Sequence, residues 1–365
     1  MTNNLNTTPL YNSHIKLNAK MVDFGGWAMP IQYNSIISES KSVREQSGIF
    51  DVSHMGRVKI SGEDASKILN KILSINIDKI SIGKAKYNLI CNKDGGIIDD
   101  CIIYKLDNED FLLIPNASNT KAVLAWIDTF LQKDSNIHIN NITLDTVMIA
   151  HQGPEALEIL QGLASENLQN IKPYSIQSIK LGDIQVSIAR TGYTGEDGFE
   201  IIANKKDADY LWEQLINIGA NPCGLGARDI LRLEAALPLH GNEINTTTNP
   251  FQANLGRFVD TEKEGYIAKN ALDEIFNKGP EKILIGLAIS DRIIPRKGHE
   301  ILINNKKIGD ITSGCYSTTL NKPIALGYVP LQFATLNTKV NLNIRGKLIE
   351  SYICKIPFYK RRKKS

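Results

Sequence analysis

Two adjacent aspartates, Asp99 and Asp100, lie inside an apolar strand pattern in the stretch NKDGGIIDDCIIY, residues 92–104. Side chains in a strand alternate between two faces, so Asp100 shares a face with Tyr104 and Asp99 lies on the other. A buried carboxylate is unfavourable unless it is paired or hydrogen-bonded. Two interpretations stay open. Both acids lie near the strand end and are solvated or bonded to turn amides, or Asp100 and the aromatic Tyr104 face a flat heterocycle that carries N–H groups.

A second stretch whose residues could take part in binding or catalysis is RTGYTGEDGFEI, residues 190–201. Its three glycines allow close backbone approach or left-handed turns, and Glu200 is another acid in an apolar strand pattern. The spacing fits neither a Walker phosphate loop nor a dinucleotide fingerprint. It indicates either an irregular hairpin or a loop that borders a ligand.

The third stretch, GLGARDILRLEAAL, places Arg228 and Arg232 four residues apart on one helix face. The preceding glycines put Arg228 near the helix N-terminus, where it could hold a carboxylate or a carbonyl-rich ring. The alternative is a surface pair with Asp229 and Glu234. No serine, cysteine or histidine has a nucleophile-elbow or triad context, so covalent catalysis is not indicated.

The elements between these stretches predict an α+β fold. Helix and strand, then a meander, then a helix predict an antiparallel-sheet domain over residues 1–140, and a similar order predicts a second over residues 141–277. DFGGWAMPIQY, residues 23–33, is interpreted as a loop, and FNKGPEKIL, residues 276–284, as a linker. Short strands beyond it predict a small β-barrel over residues 278–365, with YKRRKKS as a basic tail.

The composition excludes several classes of protein. The 365 residues include 42% hydrophobic and 22% charged residues with a net charge of +3, so no nucleic-acid partner is expected. No run approaches the ~18 apolar residues that span a bilayer, and no membrane partner is expected. Five scattered cysteines without a CxxC pair, and six histidines without HxxxH spacing, predict reduced thiols, no metal site and a cytoplasmic location.

Several stretches together form a recognisable pattern. They are PLYNSHIKLNAKMVDFGGWAMPIQY, FDVSHMG, CNKDGGIIDDCIIY, RTGYTGEDGFEI, GLGARDILRLEA, GDITSGCYSTTLNKPIALGYV and KIPFY. In this order, from about residue 8 to 360, they resemble the aminomethyltransferase family, the T-proteins of the glycine cleavage system.

The resemblance implies a three-domain cloverleaf: two antiparallel-sheet α+β domains and a C-terminal small β-barrel around a central folate channel. Tetrahydrofolate would bind there as a co-substrate, without a metal. The implied partner is the lipoylated H-protein, whose dihydrolipoyl arm delivers an aminomethyl group. The expected products are ammonia, 5,10-methylenetetrahydrofolate and the reduced arm.

The resemblance also assigns roles to individual residues. Asp100, the second acid of the pair, falls on the catalytic aspartate of the family. Glu200 and Arg228 fall on folate-binding positions. Further positions that line or approach the folate site are matched by Met55, Tyr87, Tyr104, Asn116, Tyr193 and Tyr359.

These residue types suit the implied reaction. Cationic iminium character develops on the transferred carbon, and a desolvated carboxylate beside N5 and N10 of the folate can stabilise it and help move a proton. Glu200 can accept hydrogen bonds from pterin N–H groups, and Arg228 can donate to a ring oxygen.

The chain departs from the family pattern in NPFQANLGRF, where Gln252 replaces an acid and Arg257 replaces a tryptophan. Tyr266 and Ala268 stand at the aromatic and glycine positions that follow. Two other functions would use the same motifs. One is a folate-dependent demethylase of this fold that acts on a small methylated amine or thioether, and the other is a folate-binding relative that has lost catalysis.

Overall fold

The structure is a computed structural model that describes residues 5–361. Its α-helices are α1 (Tyr11–Lys16), α2 (Ile36–Glu45), α3 (Ala65–Ile72), α4 (Thr120–Asp128), α5 (Ala156–Gln161), α6 (Ala208–Asn217), α7 (Leu225–Glu234) and α8 (Lys269–Lys278). Its strands are β1 (Asn6–Thr7), β2 (Lys20–Phe24), β3 (Trp27–Gln32), β4 (Gly48–Asp51), β5 (Val58–Ser61), β6 (Lys84–Cys91), β7 (Ile97–Lys105), β8 (Asp110–Ile114), β9 (His138–Asn141), β10 (Thr146–Gln152), β11 (Ile176–Leu181), β12 (Ile184–Ala189), β13 (Gly198–Asn204), β14 (Asn221–Pro222), β15 (Lys282–Ile289), β16 (Glu300–Ile303), β17 (Lys306–Ser317), β18 (Lys322–Pro330), β19 (Lys339–Ile344) and β20 (Lys347–Cys354).

The chain folds into two compact units. Within the described residues, the first comprises 5–69, 76–88 and 101–228, and the second comprises 70–75, 89–100 and 229–361. The sequence-based domains 1–140, 141–277 and 278–365 stay a prediction. Among residues 5–361 there is no helix that is both long and apolar enough to cross a membrane.

β-Sheets occur together with helices that lie between the strands in the sequence, and this confirms the predicted α+β class. A six-stranded sheet has the order β11-β12-β13-β10-β4-β14, and a five-stranded sheet has the order β6-β7-β8-β5-β9. Helix α6 is amphipathic and buries Ala208, Leu211, Trp212 and Leu215. This spacing of three and four residues places them on one face, which packs into the same core cluster as β10 and β13.

The C-terminal strands form a closed barrel in the order β15-β18-β17-β16-β19-β20, as predicted. Its interior is an aliphatic cluster that includes Leu287, Ile301 and Leu342, all fully buried. The predicted linker is shorter than expected, because helix α8 continues to Lys278 and strand β15 begins at Lys282.

The interpretation of residues 23–33 as a loop is wrong. Strands β2 and β3 form an antiparallel hairpin there, with Phe24 opposite Trp27. Gly25 and Gly26 both have a positive φ and supply the turn between them. The flanking residues pair as strands, so the two glycines mark a tight hairpin turn and not a longer loop.

A buried carboxylate connects the N-terminal helix to the six-stranded sheet. Asp51, in β4, is 2% exposed and accepts hydrogen bonds from Thr8 Oγ1 at 2.6 Å and from the Ser53 N–H at 2.9 Å. His14 Nε2, in α1, lies 2.9 Å from the same carboxylate, and its Nδ1 lies 2.9 Å from the Tyr33 hydroxyl. Burial alone would raise the pKa of Asp51, but these hydrogen bonds and the His14 charge lower it to about 2.

This depressed pKa makes a prediction for acid stability. The carboxylate contributes stability that is complete above the unfolded pKa near 3.8 and is lost as pH falls toward about 2. We expect Asp51→Asn to lower the free energy of unfolding by about 2 kcal/mol at pH 7 and to weaken its fall between pH 5 and pH 2. Urea unfolding at each pH measures this, with Asp134→Asn at an exposed site as the control. Parallel acid profiles for the Asp51 variant and the unmodified protein would contradict it.

Candidate functional site

Asp99 and Asp100 in β7 are both buried, with 0% and 8% of their surface exposed. Solvation of the two acids at the strand end is therefore wrong, whereas hydrogen bonds from turn amides stay a prediction. The face of Asp99 continues with the fully buried Ile97 and Ile103, whereas the face of Asp100 includes the partly exposed Ile102. Asp100 thus lies on the more open face of its strand.

The start of β7 is held by the segment that follows helix α7. The Ile97 N–H donates to the carbonyl oxygen of Asn245 at 3.1 Å. Gly96 permits this contact, because a Cβ atom at its position would lie 1.9 Å from the carbonyl oxygen of Thr246. Backbone contacts therefore set the position of Asp100 along the strand.

His240 lies in the electrostatic environment of Asp100. Burial lowers the pKa of His240, and the Asp100 carboxylate and the carbonyl groups of Ile97 and Ile98 partly oppose that shift. Its Nε2 atom is buried and has no hydrogen-bond partner in the described part of the chain. Because its pKa is lowered, the His240 imidazole near Asp100 is neutral at neutral pH.

In the first unit, Glu200 is joined to Tyr104 through Thr191. Thr191 Oγ1 donates to Glu200 Oε2 at 2.5 Å, and the Tyr104 hydroxyl lies 3.1 Å from Thr191 Oγ1. A threonine hydroxyl has one proton, which is used on Glu200, so the Tyr104 O–H is the donor in the second hydrogen bond. All three side chains are buried, and burial raises the pKa of Tyr104 well above its usual value.

Two small residues flank Glu200 on its face of the sheet. Its direct partners are Ala150 in β10 and Ala189 in β12, and paired residues of antiparallel strands share a face. Burial raises the pKa of Glu200, while the hydrogen bond from Thr191 and the charge of Arg228 act against that shift. A desolvated carboxylate with small neighbours suits a ligand that donates hydrogen bonds to it.

Arg228 lies in the first turn of helix α7, as predicted from the preceding glycines. Its guanidinium group lies over the ring of Tyr193, 4.7 Å from the ring centroid. The Nη1 atom is buried and makes no hydrogen bond to any described residue. Burial lowers the pKa of Arg228, and Glu200 and Tyr193 oppose this. A buried donor without a partner is the group that a ligand oxygen would satisfy.

Arg232, one turn further along α7, is a buried structural cation. Its Nη1 donates to Glu243 Oε2 at 2.8 Å, and its Nη2 donates to the Ser313 hydroxyl at 2.8 Å. It also contacts Asp229, but Arg232 itself is only 1% exposed. The alternative interpretation of a surface pair is therefore wrong.

The remaining predicted site residues are partly exposed. Met55, Tyr87 and Asn116 belong to the first unit. Tyr359 belongs to the second, where its N–H donates to the carbonyl oxygen of Glu234 at 2.8 Å. Their roles at a ligand site stay a prediction.

The positions that depart from the family pattern make structural contacts. The Gln252 carbonyl accepts a hydrogen bond from the Leu284 N–H at 2.9 Å, at the start of the barrel. The Arg257 guanidinium lies over the Phe258 ring, 4.7 Å from its centroid. Tyr266 and Ala268 are both buried.

Sequence reasoning missed Thr191 and His240. Thr191 lies inside a quoted motif, but a threonine before a glycine is common in turns and carries no chemical signal by itself. His240 has no partner at a recognisable spacing, and its neighbour Asp100 is distant in sequence. No group of three or more histidine, cysteine, aspartate or glutamate side chains within residues 5–361 is placed to hold a metal ion.

Comparisons with known proteins agree with this architecture. The family model for the GCVT N-terminal domain matches residues 10–263, and the model for the glycine cleavage T-protein C-terminal barrel domain matches residues 282–360. An aminomethyltransferase of Prochlorococcus marinus is 43% identical over 97% of this chain and 98% of its own length. One of Symbiobacterium thermophilum is 40% identical over 99% of both chains.

A solved structure has the same fold. The glycine cleavage system aminomethyltransferase T of Bartonella henselae covers 98% of this chain and 99% of its own, with a TM-score of 0.92 and 33% identity. These relatives place the chain among the one-carbon transferases of this fold. It belongs to the aminomethyltransferase family, the T-proteins of the glycine cleavage system, which confirms the family, the enzyme class and the fold class inferred from the sequence.

The raised pKa of Glu200 predicts an unusual stability effect. Its ionised form is disfavoured in the folded state, so stability is lost as pH rises through the folded pKa. We expect Glu200→Gln to raise the melting temperature of the ligand-free protein by about 1–2 °C at pH 7, with a smaller gain near pH 4. Differential scanning calorimetry measures this, and Glu213→Gln on the exposed face of α6 is the control. A melting temperature several degrees lower would show that the carboxylate is structural.

Proposed function

We propose that the protein transfers an aminomethyl group from the dihydrolipoyl arm of lipoylated H-protein to tetrahydrofolate. The carbon–sulfur and carbon–nitrogen bonds of the aminomethyl thioether break, and bonds from that carbon to N5 and N10 of the folate form. The two protons that leave the folate nitrogens balance the thiol of the reduced arm and the ammonia released. The product on the folate is 5,10-methylenetetrahydrofolate.

One observation carries the proposal: a desolvated acceptor and a desolvated donor occur together in the first unit. Glu200 Oε2 is engaged by Thr191, while the pKa of the buried carboxyl group stays raised. Arg228 acts electrostatically on Glu200, and its buried Nη1 makes no hydrogen bond within residues 5–361. A reduced pterin matches this pair, because it has amino and ring N–H groups on one edge and a carbonyl oxygen.

Asp100 is proposed as the catalytic residue. Its burial supports this role, since a carboxylate that has lost its water stabilises nearby positive charge more strongly than a solvated one. Met55, Tyr87, Tyr104, Asn116, Tyr193 and Tyr359 are proposed to line the folate site.

The proposed partners include H-protein, and the proposed location is the cytoplasm. All five cysteines are free in the structure. The basic tail, of which residues 362–365 lie outside the described part of the chain, is proposed to contact an acidic surface of H-protein. Undiminished affinity of a tail-deleted protein for H-protein would remove this part of the proposal.

A turnover assay with tetrahydrofolate and aminomethylated H-protein, each omitted in turn, tests the function. Formation of methylenetetrahydrofolate should require both. Turnover of a small methylated amine or thioether without H-protein would indicate the demethylase instead. Tetrahydrofolate binding without turnover of either donor would indicate a relative that has lost catalysis.

The catalytic assignment predicts the effect of Asp100→Asn. The amide keeps the size of the side chain but removes its charge and its capacity to accept a proton. We expect kcat to fall by about 10²–10⁴-fold, while the dissociation constant for tetrahydrofolate changes less than about threefold. Steady-state kinetics and isothermal titration calorimetry separate the two effects. Asp94→Asn, in the exposed turn before β7, is the control, and unchanged turnover of the Asp100 variant would refute the assignment.

The binding assignment predicts a thermal shift. Tetrahydrofolate at about 100 times its dissociation constant should raise the melting temperature by about 3 °C, because it binds only the folded state. Arg228→Ala should remove most of this shift, since the ligand oxygen loses its charged donor. Arg292→Ala, at an exposed position, should keep the full shift. A full shift in the Arg228 variant would exclude Arg228 from the site.

A further inference from the structure

Tyr174 has a backbone conformation that is unfavourable for its type. Its φ is +55°, in the left-handed region that bulky side chains rarely adopt. Its side chain is 54% exposed and therefore contributes little to the core. A strained residue whose ring is not needed for packing points to a function that requires the ring.

The strain is maintained by hydrogen bonds on both sides of Tyr174. Its N–H donates to the carbonyl oxygen of Arg190 at 3.0 Å, and its carbonyl oxygen accepts from the Ala85 N–H at 2.9 Å. Two residues further on, the Ile176 N–H donates to the carbonyl oxygen of Gly83 at 2.9 Å. The backbone of Tyr174 is thus fixed between strand β6 and the residue that precedes Thr191.

The two residues that hydrogen-bond to the Tyr174 backbone, Arg190 and Ala85, are close in sequence to residues of the candidate ligand site of the first unit. Arg190 is followed directly by Thr191, whose hydroxyl connects Tyr104 to Glu200. Ala85 is two residues before Tyr87 on β6, so their side chains share a face of the strand. The pKa of Tyr104 is raised by burial, by Glu200 and, to a smaller extent, by Tyr174.

We propose that Tyr174 is a ligand-binding residue of this site and stacks on a flat ring of the bound folate. The proposal rests on the proposed function and adds a residue that the motifs do not assign. Its backbone is fixed beside Arg190, the residue that precedes Thr191, before the ligand arrives. Contact between two flat rings then offsets the unfavourable backbone conformation.

The backbone strain provides a test in which stability and binding change in opposite directions. Tyr174→Gly should raise the melting temperature of the ligand-free protein by about 2 °C, because glycine adopts a positive φ without strain. It should also weaken tetrahydrofolate binding about 3- to 10-fold, because the stacked ring is lost. Tyr174→Phe retains the ring and should bind within about twofold of the unmodified protein.

Isothermal titration calorimetry with tetrahydrofolate under anaerobic, reducing conditions gives the affinities, and calorimetric scans without ligand give the melting temperatures. Tyr210→Ala, at an exposed tyrosine of α6, is the matched control and should leave the affinity unchanged. Unaltered affinity of Tyr174→Gly would overturn the inference while leaving the proposed function in place. No binding of tetrahydrofolate to the unmodified protein would instead overturn the proposed function, and this inference with it.

Discussion

A largely buried carboxylate in a β-sheet is the constraint around which the candidate site of the first unit is arranged. Glu200 is flanked across the sheet by two alanines, whose side chains offer it no hydrogen bond. The hydrogen bond from Thr191 and the charge of Arg228 make its burial tolerable without returning its pKa to the usual range. Tyr104 and Tyr193 take their positions from these two partners, by a hydrogen bond and by a stacked guanidinium.

A comparison of two buried acids separates structural from ligand-directed chemistry. Asp51 receives hydrogen bonds from Thr8, His14 and Ser53, and its pKa falls to about 2. Glu200 receives one from Thr191, and its pKa rises. Both are buried to a similar extent, so the difference lies in how many protein groups satisfy the charge. The first acid links helix α1 to strand β4, and in the proposed function the second accepts hydrogen bonds from the ligand.

The sequence predicts local features well and through-space features poorly. Strand β7, the hairpin of β12 and β13 and the first turn of α7 follow from alternation, turn residues and glycines, and they carry Asp100, Glu200 and Arg228. The hairpin of β2 and β3 was missed because its glycine pair was interpreted as a loop. Thr191, His240 and Tyr174 were missed because residue spacing does not indicate the features that single them out. These are the hydrogen bonds of Thr191, the electrostatic effect of Asp100 on His240 and the positive φ of Tyr174. The burial of Arg232 likewise depends on Glu243, which only the folded chain brings close.

The placement of Glu200 opposite Ala150 and Ala189 also bears on how the six-stranded sheet is assembled. Strand β13 pairs on both edges, and a shift of one residue against either neighbour would turn Glu200 to the opposite, apolar side of the sheet. An ionised carboxylate there would have no donor, and Phe199 or Ile201 would take its place on the alanine-lined face. A sheet with a shifted register is therefore less stable than the native one, because it buries the Glu200 carboxylate without a hydrogen-bond donor. Glu200 thus helps to select the correct register of β13.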